Sequence, residues 1–171
     1  MIRTSTSRGF TLLEVLIALV VFSLGMLGLA ALMVMSVRTN HSAFLRTQAS
    51  FLGQGMADRM RANPMAIWAN TYNATYPATG TIPTCAAGCD TAALASRDKL
   101  LWSQQLTDQL GPSATATILC TPTAGIVTPN PAANPPYNGL CSMRIQWSEA
   151  AAVQGPSANP QTQTFAWVFQ P

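Results

Sequence analysis

The sequence predicts an α+β chain in which one long N-terminal helix, half of it apolar enough to cross a membrane, packs on a small antiparallel β-sheet. Three observations carry that expectation. The run from Val15 to Val37 holds no charged residue and, at about 23 residues, is long enough to cross a hydrocarbon core of roughly 30 Å as a helix. Beyond it, Leu45, Ala49, Leu52, Met56 and Met60 recur at spacings of three and four, drawing one apolar stripe along an amphipathic helix. Near the C-terminus, Met143, Ile145 and Trp147 alternate with Arg144 and Gln146, and Phe165, Trp167 and Phe169 alternate with Ala166 and Val168, the two-residue period of half-buried strands.

The first element contains its own anomaly. Glu14 stands just ahead of the apolar run, and the next charged residue is Arg38. A carboxylate at the centre of a membrane helix costs on the order of 2.5 to 3.5 kcal/mol on insertion scales, less toward an end. Such a group is retained when it has a partner. Arg3 and Arg8 precede the span and favour a cytoplasmic amino terminus. A secretory signal peptide has an apolar core of only about 7 to 15 residues before a small-residue cleavage site. This run is longer, and Leu32, Met33, Val34 and Met35 follow the one such candidate, Ala30-Ala31. An ordinary single-pass anchor fits the length but leaves an acid beside Gly9-Phe10 unexplained.

The string Arg8-Gly9-Phe10-Thr11-Leu12-Leu13-Glu14-Val15 resembles the start of a type IV prepilin. The resemblance implies a leader, residues 1–9, removed by a prepilin peptidase that cuts between Gly9 and Phe10 and N-methylates Phe10. It also implies a partner for Glu14, the positively charged amino terminus of a neighbouring subunit in a filament. Residues 10–37 then form the transmembrane and assembly helix. A carboxylate and an ammonium held out of water attract strongly, and losing either leaves the other as an unpaired charge. Because the two belong to different subunits, such a pair sets axial register. Ala31 stands where many major pilins carry a proline, so the helix melting proposed for those proteins is not implied here.

Residues 38–63 are the expected amphipathic continuation. Arg59 and Arg61 near its end complement the helix dipole, and Asn63-Pro64 closes it. Gly53 and Gly55 each cost on the order of 1 kcal/mol against alanine in a helix interior, which marks a bend or a close contact. The segment Asp58-Arg59-Met60-Arg61-Ala62-Asn63 is similar to the helix end of the PilV group of minor pilins, the type IV pilus modification proteins. Read locally, Asp58 and Arg61 make an i,i+3 ion pair worth a few tenths of a kcal/mol.

Residues 64–171 are expected to form a disulfide-bearing α+β domain, pilin-like in its arrangement. Met65 to Pro83 reads as an irregular connection. Asp90 or Thr91 caps a second helix running to Leu110, its apolar side being Leu94, Leu100, Leu101, Trp102, Leu106 and Leu110, with Gly111-Pro112 ending it. Strands are expected over Ala114 to Thr121, Ser142 to Ser148 and Thr162 to Phe169, as a meander against the long helix. The segments Thr121 to Leu140 and Ala150 to Gln161 carry too little apolar surface for a core of their own. Cys85, Cys89, Cys120 and Cys141 all follow the span, and an even number in an exported domain favours disulfides. Of three connectivities, Cys85 with Cys89 and Cys120 with Cys141 is favoured, the first needing only a tight turn. Zinc is disfavoured, because the Cys-x3-Cys pair has no second close pair and the sole histidine, His41, lies beside the span.

Composition excludes further classes. The chain is 9% charged with a net charge of +3 and a single lysine, Lys99, too little clustered Lys/Arg for a nucleic-acid surface. No nucleophile-base set, phosphate-binding loop or metal cluster is present, so no catalytic residue, cofactor or metal is expected. Asp98 and Asp108 read as solvated carboxylates. The resemblance therefore implies a minor pilin that enters or primes a type IV pilus and supports twitching motility or adhesion. Its implied partners are other minor pilins, the major pilin, prepilin peptidase and the inner-membrane assembly platform. It would span the inner membrane once, domain in the periplasm, before reaching the pilus. A minor pseudopilin of a type II secretion system and a membrane-anchored adhesin that never polymerises are the alternatives.

Overall fold

The computed structural model describes residues 9–123, 136–149 and 160–171. The leader residues 1–8, most of the proline-rich segment between Cys120 and Cys141, and residues 150–159 lie outside the described residues. The chain divides into two compact units, Met1–Asn40 and His41–Pro171.

The first unit is the apolar part of helix α1, Leu12–Ala62. It is the one helix, among the described residues, long and apolar enough to cross a membrane, and none of its most apolar stretch is buried. Leucines, valines and phenylalanines point outward all round it, as a helix does whose solvent is lipid.

The second unit is an α+β domain, the class that the patterning predicts. The distal part of α1 is followed by α2 (Pro64–Trp68), β1 (Ala74–Tyr76), α3 (Thr91–Leu110), β2 (Thr115–Thr121), β3 (Leu140–Glu149) and β4 (Gln161–Phe169). The strands form one antiparallel sheet in the order β1-β2-β3-β4. The meander therefore has four strands where the sequence shows three. The segment read as an irregular connection holds both α2, opened by Pro64 at its first turn, and β1. Elements of five and three residues are too short to establish a period, and β1 exists through its pairing with β2, Ala74 opposite Ile118 and Tyr76 opposite Ala116. Asn73 prolongs that pairing with its side chain, accepting from the Cys120 amide at 2.8 Å and donating to the Cys120 carbonyl at 3.2 Å.

Both longer helices lie against the inner face of the sheet. All five stripe residues of α1 are buried, and Gly53 and Ala57 join them. Arg46 donates to Gln163 at 3.0 Å, Gly53 faces Phe165, and the Arg61 guanidinium lies 6.0 Å from the Phe169 ring centre. From 46 to 61 the helix rises about 22 Å, and from 163 to 169 the strand rises about 20 Å. The distal part of α1 and β4 thus run side by side in the same direction. Helix α3 begins at Asp90, whose carboxylate accepts from the Ala93 amide at 2.7 Å, and ends at Gly111 with φ of 95°. It meets α1 where the buried Trp102 indole donates to the Leu52 carbonyl at 2.9 Å, and meets the sheet where the same ring stands edge-on to Tyr76 at 4.9 Å. On α3, Leu94 and Leu101 are only partly buried, while Ala95 and Ser103 are fully so. The helix is flanked closely enough by α1 that small residues occupy its inner seam.

Asp98 corrects the sequence reading. Its carboxylate is largely withdrawn from solvent, accepts the Tyr72 hydroxyl at 2.8 Å, and lies 4.0 Å from Arg59, which also donates to the Asp98 carbonyl at 3.3 Å and to Gln105 at 3.1 Å. An acid with a tyrosine and an arginine reaching it from two other segments is a structural bracket between α1, α3 and the start of β1. Asp108 is exposed. Burial, reinforced by the Asp98 hydrogen bond, pushes the Tyr72 phenol far above its ordinary range; burial does the same for Tyr76.

The structure joins Cys85 to Cys89 and Cys120 to Cys141. The second pair sits at directly opposed positions of β2 and β3. Among the described residues no group of three or more His, Cys, Asp or Glu side chains gathers as a metal site.

Candidate processing and assembly site

Gly9 and Phe10 lie ahead of the first helical turn, and both are exposed. The reason is local. Thr11 ends the non-helical segment by capping α1: its carbonyl accepts from the Glu14 amide at 3.1 Å and the Val15 amide at 3.3 Å, and its hydroxyl accepts from the Glu14 amide at 3.3 Å. A peptide bond outside a helix is available to a protease, because cleavage does not first require unwinding backbone hydrogen bonds. Thr11 is a capping residue that the sequence reading passed over. Its signal was present, since Thr11-Leu12-Leu13-Glu14 has the Thr-x-x-Glu spacing of a capping box.

Glu14 occupies the third position of α1, where an anion is favoured by the helix dipole. Phe10, Glu14, Val15, Ala18, Leu19 and Phe22 line one shallow hollow, so the carboxylate opens onto an apolar surface. From Leu12 to Met35 there are only two polar side chains, Glu14 and Ser23. Ser23 donates to the Leu19 carbonyl one turn earlier, at 2.7 Å, and so satisfies itself within its own helix. The Glu14 carboxylate has no ion pair or hydrogen-bond partner among the described residues. Among the described residues nothing neutralises this acid, which stands on a face made for lipid or another helix, where an unpaired charge is costly.

The prokaryotic N-terminal methylation motif matches residues 4–30. This is a type IV prepilin-like amino terminus. No curated protein and no solved structure matches the chain. The motif encloses Gly9, Phe10, Thr11 and Glu14, so the signature, the cap and the acid fall within one short segment at the amino-terminal end of α1. It stops short of the amphipathic half of the helix and of the sheet domain.

The Asp58-Arg61 string, at the far end of α1, forms the expected local ion pair, Arg61 Nη1 to Asp58 Oδ1 at 2.8 Å between exposed side chains. Pairs of this kind contribute up to about 1 kcal/mol. Arg61 also reaches toward Phe169, so the string ties the helix end to the last strand.

Proposed function

We propose that this chain is a minor pilin, made as a prepilin, cut between Gly9 and Phe10, N-methylated on Phe10, and incorporated into a type IV pilus or its priming complex. Glu14 carries the reading. In the assembled state its carboxylate pairs with the methylated amine of an adjoining subunit's first residue, and the hollow lined by Phe10, Leu19 and Phe22 packs against that neighbour. Removing one member of a buried ion pair costs about 3–5 kcal/mol, enough to displace a subunit from register. Before assembly the chain spans the inner membrane once with its disulfide-bearing domain in the periplasm; afterwards that domain faces outward on the pilus. Its partners are the prepilin peptidase, the assembly platform, the major pilin and other minor pilins. The Asp58-Arg61 segment supports placement in the PilV group over a type II secretion pseudopilin.

The test is Glu14→Ala beside Glu14→Asp, scored for membrane insertion, cleavage and recovery in sheared pili. Insertion and cleavage are expected to be retained in both, with incorporation lost in Glu14→Ala. Undiminished incorporation removes the role assigned to the acid. Mass spectrometry of the mature amino terminus is the second check: a methylated Phe10 supports the reading, and an intact Met1 on the assembled protein defeats it.

A further inference from the structure

The two disulfides stand in opposite surroundings. Cys120 and Cys141 are 4% and 0% exposed, at opposed positions of β2 and β3, and both belong to the hydrophobic core. Cys85 and Cys89 are partly exposed, and the three residues between them, Ala86, Ala87 and Gly88, are exposed outright. No residue from 79 to 94 is buried. In chain order the core passes, among the described residues, from Ala78 to Ala95 and takes nothing from this segment.

The exposed ring is also held in place without its sulfurs. Gly88 turns it at φ of 94°, a conformation that glycine adopts readily, and donates its amide to the Cys85 carbonyl at 3.1 Å. Upstream, Arg97 donates to the Pro83 carbonyl at 2.9 Å. Downstream, the Asp90 carboxylate caps α3 through the Ala93 amide at 2.7 Å. None of these three bonds involves sulfur, so opening the disulfide leaves the turn and both its anchors. The two thiols then remain neighbours, poised to close again.

We infer that Cys85–Cys89 is a reversible thiol–disulfide exchange site for an external dithiol, whereas Cys120–Cys141 is a closed structural bridge. Exchange begins when a thiolate attacks a disulfide sulfur, so the attacker must reach that sulfur. Exposed bridges are accordingly the labile ones, and shielded structural bridges resist reduction. One thiolate of the incoming dithiol bonds to one cysteine sulfur as the S–S bond breaks, releasing the other cysteine as a thiolate. The second thiol of the dithiol then attacks the mixed disulfide. Two electrons pass to the chain, the two thiol protons end on Cys85 and Cys89, and the dithiol leaves as a disulfide. The reverse sequence closes the ring. Because the ring holds no core residue, its oxidised and reduced states belong to one folded domain. The inference concerns the sheet domain alone and rests on neither Glu14 nor the filament reading.

The experiment uses the full oxidised chain in detergent micelles, with dithiothreitol as the probe. Samples are quenched with acid and alkylated, and peptide mass spectrometry reads the state of each cysteine against time. Cys85 and Cys89 are expected to be reduced together, at least about tenfold faster than Cys120 and Cys141. Amide exchange along β2 and β3 should meanwhile stay at its starting values, and oxidised dithiothreitol should restore the first pair. Reduced thioredoxin in place of dithiothreitol separates two sources of the dithiol. Reduction by both supports the site and assigns it to a protein partner; reduction by dithiothreitol alone supports it and assigns it to small dithiols. Cys85→Ser leaves Cys89 as the one free thiol, which should take up one glutathione from glutathione disulfide while β2 and β3 remain protected. Reduction of Cys120–Cys141 at an equal or greater rate, loss of β2 and β3 protection as Cys85–Cys89 opens, failure of that pair to re-form, or no glutathione on Cys89 in the Cys85→Ser chain overturns the inference.

Discussion

Gly53 and Gly55 lie two residues apart on one helix and should respond differently to the same added methyl group. Glycine in a helix interior costs about 0.8–1.0 kcal/mol relative to alanine. At Gly55 a Cβ meets nothing within 4 Å, so Gly55→Ala should recover the whole of that term. For a domain of this size the gain is about 4 °C in Tm. At Gly53 a Cβ would lie 3.1 Å from Phe165 Cε1 and 3.6 Å from Met143 Sδ. The first contact is tight by a few tenths of an ångström. Phe165 is on the edge strand and can yield, at roughly 0.5–1.5 kcal/mol for a ring pushed off its rotamer. The two terms cancel, and Gly53→Ala should leave stability near that of the parent. Gly53→Leu has no such escape against Met143 and should cost about 1–3 kcal/mol. The assay is guanidinium unfolding of the detergent-solubilised chain followed by tryptophan fluorescence, since Trp102 and Trp147 are buried. Equal stabilisation by Gly53→Ala and Gly55→Ala would show that α1 does not approach β4 as closely as described. Destabilisation by Gly55→Ala would mean that position 55 has a close neighbour after all.

Replacing Cys120 and Cys141 together by alanine, which opens a loop of sequence separation 21, should cost about 3 kcal/mol by loop-closure entropy, against about 2 kcal/mol for Cys85 with Cys89 at separation 4; denaturant midpoints under oxidising conditions order the two variants, and a larger effect at Cys85–Cys89 contradicts the entropic account. Asp98→Asn keeps the shape but weakens the acceptor for Tyr72 and the attraction to Arg59, and is expected to cost about 1–2 kcal/mol; Tyr72→Phe should cost less, and in the double variant the two losses should be less than additive. Alkaline titration should destabilise the domain. Tyr72 and Tyr76 have phenols raised above 10.0 by burial, so the folded chain holds protons that the unfolded chain releases. That contribution is complete below about pH 10 and lost as pH rises toward the folded values. A stability profile flat from pH 9 to 11.5 in the parent, or a fall retained undiminished in Tyr72→Phe with Tyr76→Phe, would refute it.

Much of the architecture was legible because it rests on repeating local patterns. The 3.6-residue stripe Leu45, Ala49, Leu52, Met56, Met60 marks a helix facing a core whatever that core is, and each stripe residue is buried. Asp90 ahead of Thr91 and Gly111 after Leu110 bound α3 through their own backbone preferences. The alternating aromatics identify β3 and β4 for the same reason, although both strands extend slightly beyond the patterned residues. Where the reading stopped short, the determinants were not local. β1 has three residues and no period; it is a strand because Ala116 and Ile118 are there to receive it. Asp98 looks like any surface carboxylate until Tyr72 and Arg59, 26 and 39 positions away in sequence, converge on it.

The candidate site divides in the same way. Gly9, Phe10, Glu14 and the unseen cap Thr11 fall within six consecutive residues, so their spacing is covalent and the chain alone specifies it. That no described residue supplies a counter-charge to Glu14, that the three-residue β1 and the nine-residue β4 border the sheet, and that Arg46 meets Gln163 were settled by folding. Each depends on which distant segments meet, and no local period in the chain specifies that.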